Sequence, residues 1–300
     1  MTKKRSPEKY AARMISKHLK RVSREVNGAY EARDPEHVHQ ARVASRRLRN
    51  SFWAFREALP PVERALWKKQ IKNMADAMGR ARDLDTQILF LEKFAKKVKK
   101  KEYRASIDRL AAHLREKRKR AQPRVKKTLA ELKRKKTLEK IAKKMDALSK
   151  TPPSRSGKTD LYELAEKKIR KRLKKLLACE EHAGHPERSR ELHMMRIAAK
   201  KFRYTMENFQ PLYGKKIDPF IDAAHAVQDN LGRVHDLDVW IDHFRKLQGG
   251  KRKDGDLARA SAYFVKLCSR TRRQAYLKFV KHWRTLRKKN KWKKLKALIT

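Results

Sequence analysis

Residues 39–49 read HQARVASRRLR, and residues 193–203 read HMMRIAAKKFR. Both run His, two spacers, Arg, an aliphatic residue, two small residues, two bases, an apolar residue and Arg, 154 positions apart. Around the first copy Val38, Ala41, Ser45, Leu48, Phe52 and Phe55 step by three and four. That spacing predicts a helix with one buried stripe. Leu192, Met195, Ala199, Phe202, Met206 and Phe209 repeat it around the second copy. His39, Arg42, Arg46 and Arg49 follow the same steps one residue later, as do His193, Arg196, Lys200 and Arg203. One residue is about 100° round a helix, so each basic stripe flanks a core seam, with Arg47 and Lys201 further round. From residue 39 to 49 the helix rises about 15 Å, giving a ladder of cations a turn or less apart. Stems buried beside the core would hold these heads in the groove left by neighbouring helices.

The echo extends outward from the two stretches. Ile15, Leu19 and Val22 meet Ile169, Leu173 and Leu176 at the same offset of 154. Gly79-Arg-Ala-Arg-Asp-Leu-Asp85 returns as Gly232-Arg-Val-His-Asp-Leu-Asp238, 153 positions on. Three matches in the same order indicate a tandem duplication. Glycine and proline punctuate the chain at Pro7, Pro35, Pro60-Pro61, Pro152-Pro153, Pro186, Gly214 and Gly249-Gly250. Between them apolar residues recur three and four apart, with no period-two strand. The expectation is an all-α protein of eight helices near 7–31, 36–59, 61–98, 102–148, 159–183, 187–210, 217–247 and 256–287. Pro123 should kink the fourth. The halves, residues 1–149 and 159–300, form two four-helix bundles, and KTPPSRSGKT at 150–159 supplies the linker (150–158) between them.

Charge narrows the function. The chain of 300 residues carries 83 Lys+Arg against 33 Asp+Glu, a formal +50, and self-repulsion on that scale calls for a polyanionic partner. Nucleic acid, an anionic membrane surface and other polyanions are the candidates. Only Cys179 and Cys268 occur, without CxxC, which excludes a disulfide scaffold and suits a reducing cytosol. No apolar run is long enough for a transmembrane segment, and the basic start lacks the apolar stretch of a signal peptide.

The stripes carry no acid over the eleven residues of either copy, and arginine can grip phosphate oxygens in a planar, two-pronged fashion. His39 and His193 open the stripes, either hydrogen-bonded beside the core or touching the anion. In the second case binding tightens as pH falls. Asp83 and Asp85, like Asp236 and Asp238, are two apart, so each pair diverges by about 200° and cannot chelate one metal. Their expected role is to orient neighbouring arginines. Cys179, His182 and His185 offer three metal ligands but no fourth, and no phosphate-binding loop of nucleotide type appears. No metal or cofactor is expected.

The stretches HVHQARVASRRLRNSFWAF (37–55), ELHMMRIAAKKFRYTMENF (191–209), MGRARDLDT (78–86) and LGRVHDLDV (231–239) together resemble the signatures of the CHAD family, the conserved-histidine α-helical domain. The resemblance covers nearly the whole chain. It implies two bundles related by pseudo-twofold symmetry, a basic cleft or pore between them, binding of inorganic polyphosphate and association with polyphosphate granules. The family's basic positions fall here on His39, Arg42, Arg46, Arg47 and Arg49, and on His193, Arg196, Lys200, Lys201, Arg203 and Tyr204. Arg82 in the first half is joined to this set. His235 stands at the matching place in the second half and departs from the pattern. Some relatives carry a triphosphate-tunnel hydrolase domain, for which this chain leaves no length.

The resulting expectation is a cytoplasmic, non-catalytic polyphosphate binder, associated with granules or with polyphosphate-metabolising enzymes. RNA binding is the second candidate, although Phe52, Phe55, Phe202 and Phe209 belong to core stripes, leaving Trp53 and Tyr204 to reach a base. A polyphosphate-processing enzyme is the third, and needs a carboxylate-held metal. The tail KKNKWKKLKALI (288–299) is basic and amphipathic enough to touch anionic lipid, the fourth reading.

Overall fold

The computed structural model describes residues 6–96, 98, 101–151, 160–248 and 255–300, with side chains from residue 260 onward in the last stretch. Among them every regular element is helical. The chain divides into two compact units, Met1–Leu161 and Tyr162–Thr300. Most of the expected linker lies outside the described residues.

Unit 1 comprises α1 (Pro7–Glu31), α2 (Pro35–Ala54), α3 (Pro61–Ala95), α4 (Lys101–Arg134) and α5 (Thr137–Lys150). The first three open on proline, whose missing N–H costs nothing in a first turn. Asp34 caps α2 by accepting from the Glu36 backbone N–H at 2.7 Å. The predicted seam is the observed one: Val38, Ala41, Ser45, Leu48, Phe52 and Phe55 are all buried. Tyr10 and Phe55 meet edge to face at 5.8 Å between ring centroids, and Phe52 packs on Trp67 at 6.0 Å. Each large side chain buried this way contributes about 1.5–3 kcal/mol.

Unit 2 comprises α6 (Leu161–Leu177), α7 (Ser189–Tyr213), α8 (Asp218–Gln248), α9 (Gly255–Lys288) and α10 (Lys291–Ile299). Its seam of Leu192, Met195, Ala199, Phe202, Met206 and Phe209 is buried. Phe202 packs edge to face on Trp292 of α10 at 5.6 Å.

Two expectations need correction. The helix carrying Pro123 continues through it from Lys101 to Arg134, and the break within the expected 102–148 helix falls at Lys136, in the left-handed region at φ 49°. Pro123 is exposed, so water can satisfy the carbonyl that its ring leaves without a partner. Beside it Gln122 donates to the Ala29 and Tyr30 carbonyls of α1 at 3.0 and 3.1 Å. Second, among the described residues each unit has five α-helices, not four. Asn290, at φ 50° and 154 positions after Lys136, makes the same break before α10. The short last helices close each core, α5 against α1 and α10 against α8 and α9. Among the described residues no helix is long and apolar enough to cross a membrane.

Candidate anion-binding site

In unit 1, α2 packs against both α1 and α3. The stripe flank faces α3. His39, Arg42, Arg46 and Arg49 are all half-buried there. The Arg42 guanidinium donates Nη1–H to the carbonyl of Ala75. It lies 3.1 Å from where a Cβ on Gly79 would stand, so the glycine inside α3 makes room for it. A helix-interior glycine costs roughly 0.5–1 kcal/mol against alanine, and close approach of this guanidinium is a physical reason to keep one.

The electrostatics of the stripe are those of crowded cations. Burial, reinforced by Arg46, lowers the pKa of Arg42, while Asp83 and Asp76 oppose the shift. Burial lowers Arg49 also, with Asp76 opposing and Arg46 adding to it. Burial and then Arg82 of α3 push His39 toward its neutral form. Asp76 and Asp83 are exposed, and among the described residues neither is ion-paired with Arg42, Arg46 or Arg49. The Nε–H groups of Arg46 and Arg49 are buried and have no hydrogen-bond partner. Buried donors are nearly always satisfied, so these two are exceptions that call for a partner.

Unit 2 repeats the arrangement with three differences. His193 faces His235 of α8, Nδ1 to Nδ1 at 3.1 Å, with ring centroids 4.1 Å apart. In unit 1 the matching neighbours are His39 and Arg82. Burial lowers both imidazole pKa values. His235, Arg196 and Lys200 then push His193 further down, and Arg196 does so for His235, partly offset by Asp238. Second, the Cβ position of Gly232 lies 3.5 Å from Arg196 Nε, an ordinary contact and looser than at Gly79. Third, the ladder ends early. Arg203 is 7% exposed, ion-paired with Glu207 at 3.4 Å and stacked on the Tyr204 ring at 5.0 Å.

These placements correct several assignments. Arg203 is sealed by Glu207, which continues the stripe one helical step beyond the acid-free stretch. Tyr204 is 4% exposed and is a core residue, with no face for a ligand. Arg47 stands on the other flank of α2, beside Arg21 and Arg24 of α1, and Lys201 is exposed at the matching turn of α7. Two of the four carboxylates expected to orient the stripes, Asp85 and Asp238, are ion-paired with other arginines. Asp85, raised by burial against the pull of Arg118, is ion-paired with Arg118 of α4 at 2.7 Å. Asp238 pairs with Arg272 of α9, which also donates to the Pro186 carbonyl at 2.8 Å and to Ser189 Oγ at 3.0 Å. Arg118 and Arg272 are again 154 apart, a repeated signal in the sequence that went unread. Asp83 and Asp236 are exposed.

No metal-holding group of three or more His, Cys, Asp or Glu side chains occurs among the described residues. Cys179 Sγ turns to the Lys175 carbonyl, His182 contacts Arg188, and His185 pairs with Glu187.

The CHAD domain profile matches residues 13–245. The chain belongs to the CHAD family. Its fold matches the crystal structure of the CHAD domain from the plant Ricinus communis, with a TM-score of 0.70, 19% identity and 93% of each chain covered. It also matches PptA from Streptomyces chartreusis, with a TM-score of 0.65 and 15% identity over 93% of this chain and 99% of that one. An uncharacterized protein of Mycobacterium tuberculosis is 26% identical over 228 residues, 68% of this CHAD chain. The chain spans 41% of the length of that relative.

Proposed function

We propose that this CHAD protein binds inorganic polyphosphate without catalysing its turnover. The contacts are His39, Arg42, Arg46, Arg49 and Arg82 in unit 1, and His193, Arg196, Lys200 and His235 in unit 2. The observation that carries this reading is the buried, partnerless Nε–H of Arg46 and Arg49 in a chain of net charge +50. Guanidiniums one turn apart match a polymer with a charge at every unit, and oxygen acceptors would satisfy donors that the protein leaves unsatisfied. Family membership supports the same ligand. The recurrence of helix breaks and of the Asp85–Arg118 and Asp238–Arg272 pairs supports an internal duplication, which gives each unit its own set of cations.

A non-catalytic role fits the carboxylates, since Asp85 and Asp238 are committed to Arg118 and Arg272, and the exposed Asp76 and Asp83 beside the unit 1 stripe form no metal-holding group among the described residues. RNA stays second because Phe52, Phe55, Phe202, Phe209 and Tyr204 are buried, which leaves the half-buried Trp53 as the one aromatic of that group that a base could stack on. A cytoplasmic place at polyphosphate granules, with regulation of polyphosphate-metabolising enzymes, follows from the same reading.

The test is an Arg42→Ala/Arg46→Ala/Arg49→Ala protein titrated with long-chain polyphosphate at several salt concentrations. Losing three phosphate contacts should reduce the slope of log K against log salt by about 2. Unchanged affinity and slope would refute the stripe. Competition in the wild type should show polyphosphate displacing RNA at matched charge.

A further inference from the structure

Helix α2 carries a second basic flank that the stripe does not use. Gln40, Val43, Ala44 and Arg47 lie about 130° round the helix from His39, Arg42, Arg46 and Arg49, and they face α1, not α3. With Arg21, Arg24 and Glu25 of α1 they line a pocket of about 460 Å³. Three guanidiniums against one carboxylate leave it a surplus of two positive charges.

The carboxylate is a brace. Glu25 is 7% exposed, and its two oxygens take the Arg24 Nε–H at 2.8 Å and face His37 Nδ1 at 2.9 Å. Burial alone would raise its pKa, but the hydrogen bonds from His37 and Arg24 hold it below the usual carboxylate value, so it stays ionised and internally satisfied. It orients Arg24, and although its own charge opposes an incoming anion, a guanidinium has four N–H donors beyond its Nε and three guanidiniums line the pocket. The volume falls within the range of small-ligand pockets, which favours a compact guest over a macromolecule.

The pocket is peculiar to unit 1. At an offset of 154, Arg21, Arg24, Glu25, Gln40 and Arg47 become Lys175, Ala178, Cys179, Met194 and Lys201. Two of the three arginines are replaced by point-charge lysines and the third by alanine, and Met194 is 53% exposed. Lysine lacks the two-pronged geometry that fixes a phosphate. The shared scaffold therefore does not require this constellation.

We propose that the α1–α2 pocket of unit 1 is a separate site for a compact phosphate anion, of the class of pyrophosphate or a phosphate monoester. It works alongside the stripe but does not depend on it.

Inorganic pyrophosphate is the probe, titrated by calorimetry at physiological salt into the wild type, Arg21→Glu, Arg21→Ala/Arg47→Ala and the triple stripe variant. Arg21 is exposed, so its reversal leaves the core untouched. The pocket variants should lose about tenfold or more in pyrophosphate affinity while keeping wild-type helicity. The stripe variant should keep pyrophosphate binding and lose long-chain polyphosphate. Absent binding in the wild type, undiminished binding in both pocket variants, or equal loss in the stripe variant would each overturn the proposal.

Discussion

His235→Arg rebuilds in unit 2 the neighbour that unit 1 has at Arg82, and it should change how binding responds to pH. His193 and His235 face each other through Nδ1 at 3.1 Å, so one proton can lie between them and a second must overcome like-charge repulsion. At that distance two unit charges repel by about 1.3 kcal/mol even with the dielectric of water, about one pKa unit, and more in a half-buried site. Both imidazoles are already pushed below the ordinary imidazole value, first by burial and then by neighbouring cations. The sign follows. Free protein holds the pair at low charge near neutral pH, and a bound polyanion raises both pKa values, so binding takes up protons and tightens as pH falls. Uptake of one proton steepens log K by about one decade per pH unit between the bound-state and free-state pKa values. In His235→Arg a permanent cation replaces a neutral ring. At pH 8 polyphosphate affinity should rise about fivefold, the worth of one contact of about 1 kcal/mol, and the pH slope should flatten. Calorimetry in two buffers of different ionisation enthalpy reads proton uptake directly. Superimposable pH profiles and equal proton uptake in the two proteins would refute the reasoning.

Other outcomes follow from the same geometry. Gly79→Ala should gain helix propensity yet weaken polyphosphate binding, because its Cβ would crowd Arg42 at 3.1 Å, whereas Gly232→Ala, at 3.5 Å, should raise stability by about 1 kcal/mol with binding kept. Chemical denaturation with affinity titration separates the two. Arg118→Ala strands Asp85, whose side chain is 5% exposed, and should cost about 3–5 kcal/mol, while Arg272→Ala, beside the 21%-exposed Asp238, should cost about 1–2 kcal/mol. His39, His193, His235 and His282 all sit below 6.5 in the folded chain, so the unfolded chain protonates first. Their contribution to stability is present above that pH and is lost as pH falls, and the melting temperature of the free protein should drop from pH 7 to pH 5, with polyphosphate reducing the drop. Incubation of long-chain polyphosphate with Mg²⁺ or Mn²⁺ should release no phosphate, and steady release would overturn the non-catalytic reading.

Much of the fold was legible because helix periodicity is a local property. The steps of three and four through Val38–Phe55 and Leu192–Phe209 name buried faces that the structure buries. The neutralising Glu207 was legible too, four residues after Arg203 and just beyond the eleven-residue repeat. The break at Lys136 was not, since nothing in RKKT announces a left-handed residue, whereas Asn290 is a residue type that tolerates one.

From the chain alone came the all-α class, the repeat and the membership of each cation in a basic stripe, because side-chain direction on a helix follows from position. Tertiary packing decided which neighbour each flank meets: α3 for Arg42, α1 for Arg47, Arg118 for Asp85 and His235 for His193. These partners lie tens of residues away, and whether a guanidinium keeps a donor for an anion depends on what those distant groups have already claimed.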